Sequence, residues 1–153
     1  MPDSPVLPPP RPTLKTFGPI SQVIPMRLVE WDIDRAVMEL DVEPQLLNGM
    51  GVMHGGAMAT VLDTACVHAG MYCSVPGNYR MAMTASLTVN LIGAVRDGRV
   101  TVQARRRGGG RTLFMSSADA FDAAGTLVAV AEAVLRYTPG SENPEGIPRP
   151  AAS

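Results

Sequence analysis

The densest group of reactive side chains lies in residues 48–65, which read NGMGVMHGGAMATVLDTA. Gly55 and Gly56 stand at the start of a long apolar segment, and the first N–H groups of a helix have no intrahelical acceptor. Glycine also lets a substrate carbonyl approach the backbone closely, so this position could stabilise an oxyanion. Asp63, farther along the same segment, would be a costly buried carboxylate unless it is hydrogen-bonded or functional.

Asn48 and His54 add two polar groups that could orient a substrate or water beside the glycines. Eight residues of helix rise about 12 Å, so Gly55 and Asp63 of one chain cannot both touch one reacting carbon. In a two-fold dimer with antiparallel helices, Gly55 of one chain would approach Asp63 of the other. A catalytic role for this segment therefore predicts a dimer.

The segment that carries these residues predicts a helix over 57–72, because it is long and rich in Ala and Met. Nearly every position in it is apolar, so the helix must be buried on nearly every face. Two strands are predicted before it, at 24–33 and 37–42, and the second alternates apolar with polar residues. Short turns favour an antiparallel meander after it. Its four strands are predicted at 82–95, 99–107, 111–121 and 127–137. We expect an α+β fold in which a curved antiparallel sheet wraps one long apolar helix.

Length and composition indicate one globular domain. The chain has 153 residues, of which 46% are hydrophobic and 18% are charged, unlike a disordered chain. Its net charge of −1 lacks the basic excess that is usual for nucleic-acid binding. No apolar run reaches the roughly 18–20 residues of a membrane span, and the first residues lack the apolar core of a signal peptide. We therefore expect a cytoplasmic protein without nucleic-acid or membrane partners.

Prolines concentrate at the two ends of the chain. Six of the 14 lie in the first twelve residues and four follow Thr138, and proline clusters resist helix and sheet alike. We expect Pro-rich tails at 1–12 and 139–153 and one folded domain at 13–138. Cys66 and Cys73 are too few for a disulfide framework and lack zinc-site spacing. We interpret both as small buried apolar residues.

The order of elements and the block around the glycines resemble the hotdog-fold thioesterases, specifically the PaaI-like and 4-hydroxybenzoyl-CoA thioesterase types. Their pattern is Asn or Gln, then a Gly-bearing turn such as His-Gly-Gly, then Asp or Glu eight residues past the first Gly. Asn48, His54-Gly55-Gly56 and Asp63 have this spacing.

The resemblance extends over about 35–138 and includes the segment 84–98, TASLTVNLIGAVRDG. Two positions depart from the family pattern. Gly93-Ala94 stand where many relatives carry Arg-Pro, and Val67 stands where some carry a hydroxyl. These departures concern the pocket and the support of the acid, and they leave the fold unaffected.

The resemblance implies a role for each residue of the block. Gly55 would donate its N–H to the thioester oxygen, and Asp63 on the partner helix would attack or activate water. Asn48 would orient the water or the acid, and His54 would hold the loop or assist the thioester. Thr84, early in the following strand, would support the acid or water.

Further substrate contacts are expected at Gly56 and Thr84. Arg105, Arg107 and Arg111 flank a glycine-rich turn, and guanidinium groups pair well with phosphate. They are candidates for binding the coenzyme A phosphates, and the alternative interpretation is a solvated hairpin tip. No metal or redox cofactor is needed, since coenzyme A belongs to the substrate.

We therefore expect an acyl-CoA thioesterase that hydrolyses a short-chain, medium-chain or aromatic acyl-CoA, as a homodimer or a dimer of dimers. One alternative is an acyl-CoA sensor that binds without turnover. Another is a hotdog dehydratase or hydratase, for which His68, five residues after Asp63, is a poor match. We interpret His68 as an interior histidine. A purely structural dimer would leave Asp63 unexplained.

Overall fold

The computed structural model describes residues 17–150, so the predicted tail at 1–12 lies outside the described residues. Within these residues, one α-helix, α1, spans Gly55–Ala69, and two short 3-10 helices span Pro19–Gln22 and Pro44–Leu46. The strands are β1 (Met26–Asp32), β2 (Arg35–Asp41), β3 (Asn78–Tyr79), β4 (Ala82–Leu91), β5 (Arg99–Gly109), β6 (Leu113–Phe121), β7 (Leu127–Tyr137) and β8 (Ile147–Pro148).

Six strands form one antiparallel sheet in the order β1-β2-β5-β6-β7-β4. The sheet curves around α1, and the helix contacts all six strands. Val61, Leu62 and Ala65 on the inner side of the helix are fully buried. The predicted α+β fold, a curved sheet around one apolar helix, is confirmed.

The predicted meander is wrong for its first strand. β4 pairs with β7, with Thr84 opposite Leu135, and β5 pairs instead with β2 and β6. Asp97-Gly98 therefore ends a crossover rather than forming a hairpin, because turn residues report only the local backbone and not the next pairing. The crossover leaves β4 at the sheet edge and brings Val95 beside the helix start, where its carbonyl accepts from Met53 N–H at 2.7 Å.

The helix begins two residues before its predicted start and ends three before its predicted end. His54 caps its first turn, and Gly70 caps its last. A Cβ on Gly70 would lie 2.1 Å from the ring of Phe114, and Tyr137 donates its hydroxyl to Gly70 O at 2.7 Å. The helix terminus is thus fixed against β6 and β7.

The two cysteines lie in different surroundings. Cys66 is fully buried on α1, as expected, and burial raises the pKa of its thiol to about 12, with the charge of Asp63 adding to the effect. Cys73 is half-buried, and its thiol lies 3.1 Å from Glu145 O. The prediction that both cysteines are buried apolar residues therefore holds for Cys66, whereas Cys73 bonds to a backbone carbonyl.

Residues 139–150, the described part of the predicted C-terminal tail, pack against the domain. β8 pairs with β3, and Ser141 is fully buried. Arg80 donates its Nε–H to Ser141 O at 2.9 Å, while Ser141 Oγ accepts from Met81 N–H at 2.9 Å. Prolines spaced this far apart leave enough backbone groups between them for pairing.

An ion-pair network joins β1, β2 and β5. Arg27 and Arg99 each contact Glu39 and Asp41. Hydrogen bonds from Arg99 and then Arg27 hold the pKa of Asp41 below its usual value. Within residues 17–150, no helix is long and apolar enough to cross a membrane.

Candidate active site

Among residues 17–150, the backbone at the start of α1 has a single N–H donor without an acceptor. Gly56 N–H donates to His54 Nδ1 at 2.9 Å, and the N–H groups of Ala57 and Met58 donate to His54 O at 2.9 and 3.1 Å. The first four N–H groups of a helix lack intrahelical partners. His54 N–H donates to Leu46 O at 2.7 Å, and His54 accepts from Gly56 and Ala57, so Gly55 N–H is the one of the four without an acceptor among residues 17–150.

Gly55 borders a cavity of about 240 Å³ between the helix start and the end of β4. Its wall includes Asn48, Met53, Met58 and Leu91, and no charged side chain lines it within the described chain. A Cβ on Gly55 would lie 2.6 Å from Leu91 Cδ1, so glycine keeps the N–H accessible beside this side chain. The site therefore combines one open donor with an apolar surrounding.

The predicted carboxylate and its hydroxyl partner meet at the junction of α1 and the edge strand. Asp63 is half-buried on the helix, and Thr84 is exposed on β4. Thr84 Oγ1 donates to Asp63 Oδ1 at 2.6 Å. Gly55 lies eight residues earlier on the same helix, about 12 Å along its axis. One protomer thus holds a donor and a positioned carboxylate at two separate places.

Asn48 shapes the loop that leads into the helix. Its Oδ1 accepts from Met50 N–H at 2.9 Å and from Val52 N–H at 3.2 Å, and its own N–H donates to Val52 O at 2.8 Å. Asn48 also lines the cavity at Gly55. The structure thus brings Asn48, His54 and Gly55 together, with Asn48 and His54 bonded to the local backbone.

Sequence reasoning missed Arg96, which holds the same loop from the crossover segment. Its Nη1 lies 3.1 Å from Met50 O and 3.4 Å from Gly51 O. Gly51 has a φ of 69°, a left-handed backbone conformation that glycine adopts readily. The available signal was an arginine that directly follows the predicted strand at 82–95.

The three predicted phosphate-binding arginines lie away from Gly55. Arg105, Arg107 and Arg111 are exposed on β5 and the turn after it. Arg111 lines a cavity of about 410 Å³ together with Gly70, at the other end of α1. Within one protomer these residues do not reach the helix start. No group of three or more His, Cys, Asp or Glu side chains in residues 17–150 is arranged to hold a metal ion.

Comparison with known proteins places this geometry in a family. The model of the thioesterase superfamily matches residues 50–129, just over half of the chain. A thioesterase from Haemophilus influenzae superposes with a TM-score of 0.70 at 21% identity, over 78% of this chain and 82% of that chain. The PaaI protein of the Escherichia coli phenylacetic acid degradation operon gives 0.70 at 21%, over 80% and 86%.

A conserved protein from Pseudomonas aeruginosa superposes with a TM-score of 0.73 at 27% identity, over 83% of this chain and 100% of that chain. A search of curated protein sequences finds no relative of this chain. The family match includes Gly55 and Asp63, and the structural neighbours share the sheet and its central helix. The chain therefore belongs to the thioesterase superfamily, and it is a thioester hydrolase with the hotdog fold.

Proposed function

We propose that the substrate is an acyl-CoA with a short-chain, medium-chain or aromatic acyl group, which is hydrolysed to the free acid and coenzyme A. The observation that carries the proposal is the N–H of Gly55, which has no acceptor in the described part of the chain and borders an apolar cavity. Negative charge develops on the thioester oxygen when its carbonyl carbon is attacked. A preorganised backbone donor stabilises that charge more strongly in the transition state than in the ground state.

Asp63 supplies the carboxylate for the attack, and Thr84 positions it through the 2.6 Å hydrogen bond. In one route Asp63 attacks the carbonyl carbon, the thiolate of coenzyme A leaves, and water hydrolyses the resulting anhydride. In the other, Asp63 takes a proton from the attacking water. Both routes yield one acid and one thiol, and neither requires a metal or redox cofactor.

The proposed site is complete only in a dimer, because Gly55 and Asp63 of one chain are about 12 Å apart along the helix. Two features support a two-fold interface. Thr60, Asp63 and Val67 form a half-exposed stripe on α1, and β4 is an edge strand with no neighbour on its outer side among residues 17–150. Antiparallel helices would place Asp63 of one protomer beside Gly55 of its partner, and two such dimers could pair further.

The remaining residues have supporting roles in this proposal. Asn48 faces the cavity and orients water or the acid, while His54 holds Gly56 N–H and so fixes the turn beside the substrate. Arg105, Arg107 and Arg111 make no ion pair among the described residues. Their charge is available to the coenzyme A phosphates. We place the reaction in the cytoplasm, because both described cysteines are free and thiols stay reduced there.

The test is release of coenzyme A, followed with a thiol dye over a panel of acyl-CoAs. Asp63→Asn and Asp63→Ala should lower turnover at least about 100-fold. Asp119→Asn is the matched control, because Asp119 is an exposed carboxylate on β6, away from α1. Sedimentation should show that all variants stay dimeric. Unchanged turnover in the Asp63 variants would contradict its role, and binding without turnover on every acyl-CoA would identify a sensor.

A further inference from the structure

The loop in front of α1 has an exposed, glycine-rich tip. The loop closes on itself over 48–52, because Asn48 N–H donates to Val52 O at 2.8 Å. The tip at 49–51 reads Gly-Met-Gly, and the side chain of Met50 is 76% exposed. Glycine loses more backbone freedom on ordering than any other residue. A fixed position for this tip therefore needs a partner from outside the loop.

Arg96, in the crossover between β4 and β5, is that partner. Its Nη1 donates to Met50 O at 3.1 Å and lies 3.4 Å from Gly51 O. Within residues 17–150, these are the hydrogen bonds that join the tip to another segment of the chain. Arg96 makes no ion pair in this part of the chain. Its guanidinium is therefore committed to the tip carbonyls.

The loop in turn fixes the side-chain amide of Asn48 in one orientation. Its Oδ1 accepts from the N–H groups of Met50 and Val52 at 2.9 and 3.2 Å. The two donors of an amide are on its nitrogen, so Nδ2 is turned away from these N–H groups. Asn48 lines the cavity at Gly55, and its Nδ2 has no acceptor among the described residues. These N–H groups are left for a water molecule or a carboxylate at the cavity.

Met50 links Arg96 to Asn48 through its backbone. Its carbonyl accepts from Arg96, and its N–H donates to Asn48 Oδ1. If the tip moves, Asn48 loses one of the two donors that orient its amide. A displacement of about 1 Å can lower the rate of a reaction about 100-fold. The position of the tip therefore matters for any chemistry that uses Asn48.

We propose that Arg96 is a positioning residue for thioester hydrolysis, which acts through Asn48. It holds the tip, so that Asn48 keeps Nδ2 at the cavity, where this group orients the attacking water or the acid. The inference rests on the proposed function, because it assigns the loop to the same site. Arg96 does not itself line the cavity, so its effect on the rate is indirect.

The kinetic test replaces Arg96 and measures coenzyme A release. Arg96→Gln should lower kcat about 10-fold and change KM less than about 2-fold, because Asn48 orients the water or the acid rather than the acyl-CoA. Arg96→Lys keeps a cationic donor on a more flexible chain, so its kcat should lie between the two. Unchanged kcat in Arg96→Gln would overturn the proposal.

Arg99→Gln is the matched control. Arg99 is an exposed arginine three residues after Arg96, and it contacts Glu39 and Asp41 rather than the loop. This variant should keep the kcat of the wild type. An equal loss of kcat in Arg99→Gln and Arg96→Gln would mean that removal of any nearby arginine has this effect, and it would overturn the proposal.

A double-mutant cycle tests the route through Asn48. If Arg96 acts through this residue, adding Arg96→Gln to Asn48→Ala should change kcat less than about 2-fold. A general disturbance of the fold would lower kcat by the same factor in both backgrounds. Effects that multiply in this way would therefore contradict the proposed route.

Amide hydrogen exchange, followed by NMR, needs no turnover. The N–H groups of Met50 and Val52 should exchange about 10-fold faster in Arg96→Gln, since both depend on a fixed loop. The N–H of Met58, which donates to His54 O, should keep its rate. Faster exchange in a protein that hydrolyses no acyl-CoA would refute the proposed function but support Arg96 as the residue that positions Asn48. Wild-type turnover, with neither exchange nor kcat changed in Arg96→Gln, would refute this inference alone.

Discussion

Gly55→Pro removes the one backbone donor on which the proposed chemistry depends. Proline lacks an N–H, and it is favoured at the first position of a helix, which Gly55 occupies. The preceding residue, His54, has φ −62° and ψ 133°, a conformation that a residue before proline prefers. The helix and its cap should therefore persist while the donor is lost.

The size of the effect follows from the number of donors. The N–H groups of Gly56, Ala57 and Met58 are already bound by His54, so no second donor can replace Gly55. Loss of one such donor costs about 2.7–4 kcal/mol of transition-state stabilisation, or roughly 100- to 1,000-fold in kcat. KM should change little, because the oxyanion exists only in the transition state.

Gly55→Ala is the matched control. It adds the Cβ that would meet Leu91 Cδ1 but keeps the N–H, so its loss of activity measures steric displacement alone. Coenzyme A release is measured for both variants with the same acyl-CoA, and circular dichroism checks the helix. If folded Gly55→Pro is as active as Gly55→Ala, the Gly55 N–H does not stabilise the reaction.

Three further results are expected. Thr84→Val removes the hydrogen bond to Asp63 and should lower kcat about 10-fold with little change in stability, whereas Thr84→Ser should retain most activity; equal kcat values would contradict the positioning role. Gly70→Ala forces a Cβ into the ring of Phe114 and should destabilise the protein by about 1–3 kcal/mol in urea unfolding; a smaller loss would mean that the ring moves freely. The pKa of Asp41 is lower in the folded protein than in the unfolded chain, so its ion pairs stabilise the fold fully above the unfolded-chain pKa. This stability is lost as pH falls through the lower pKa of the folded protein. Asp41→Asn should therefore make the free energy of unfolding depend less on pH in the acid range.

The helix and most strands could be predicted because their signals are local. The apolar segment before Gly70 was long enough to require a helix, and 127–137 was predicted with the bounds that the structure has. The partner of β4 could not be predicted, because strand order depends on which edge closes over the helix. The chain does bend at Asp97-Gly98, as the turn signal indicated, but this bend ends a crossover and does not form a hairpin.

In the candidate site, too, local features could be predicted from the sequence and features that depend on the folded chain could not. The spacing of Gly55 and Asp63 on one helix could be derived from the sequence, including their separation. That His54 would occupy Gly56 N–H, and so distinguish Gly55 from Gly56, depends on a side-chain rotamer that composition cannot reveal. Arg96 contacts the loop because the crossover places it there, so this contact could not be predicted before the path of the chain was known.

The half-exposed stripe on α1 corrects one more expectation. The sequence predicted burial on nearly every face of the helix, but one sheet covers only one side of it. Thr60, Asp63 and Val67 stay half-exposed in the protomer. Because α1 is largely apolar and one protomer covers it only in part, its exposed side supports the proposal that a second chain covers it.

Subunit mixing tests the central claim, that each site combines Gly55 of one protomer with Asp63 of its partner. Gly55→Pro and Asp63→Asn homodimers should each be nearly inactive. After unfolding and refolding as an equal mixture, half of the dimers are mixed and each has one intact site of two, so about a quarter of wild-type activity should return. If mixed dimers form, as shown by differently tagged chains, but activity stays at the level of the separate variants, the site does not cross the interface.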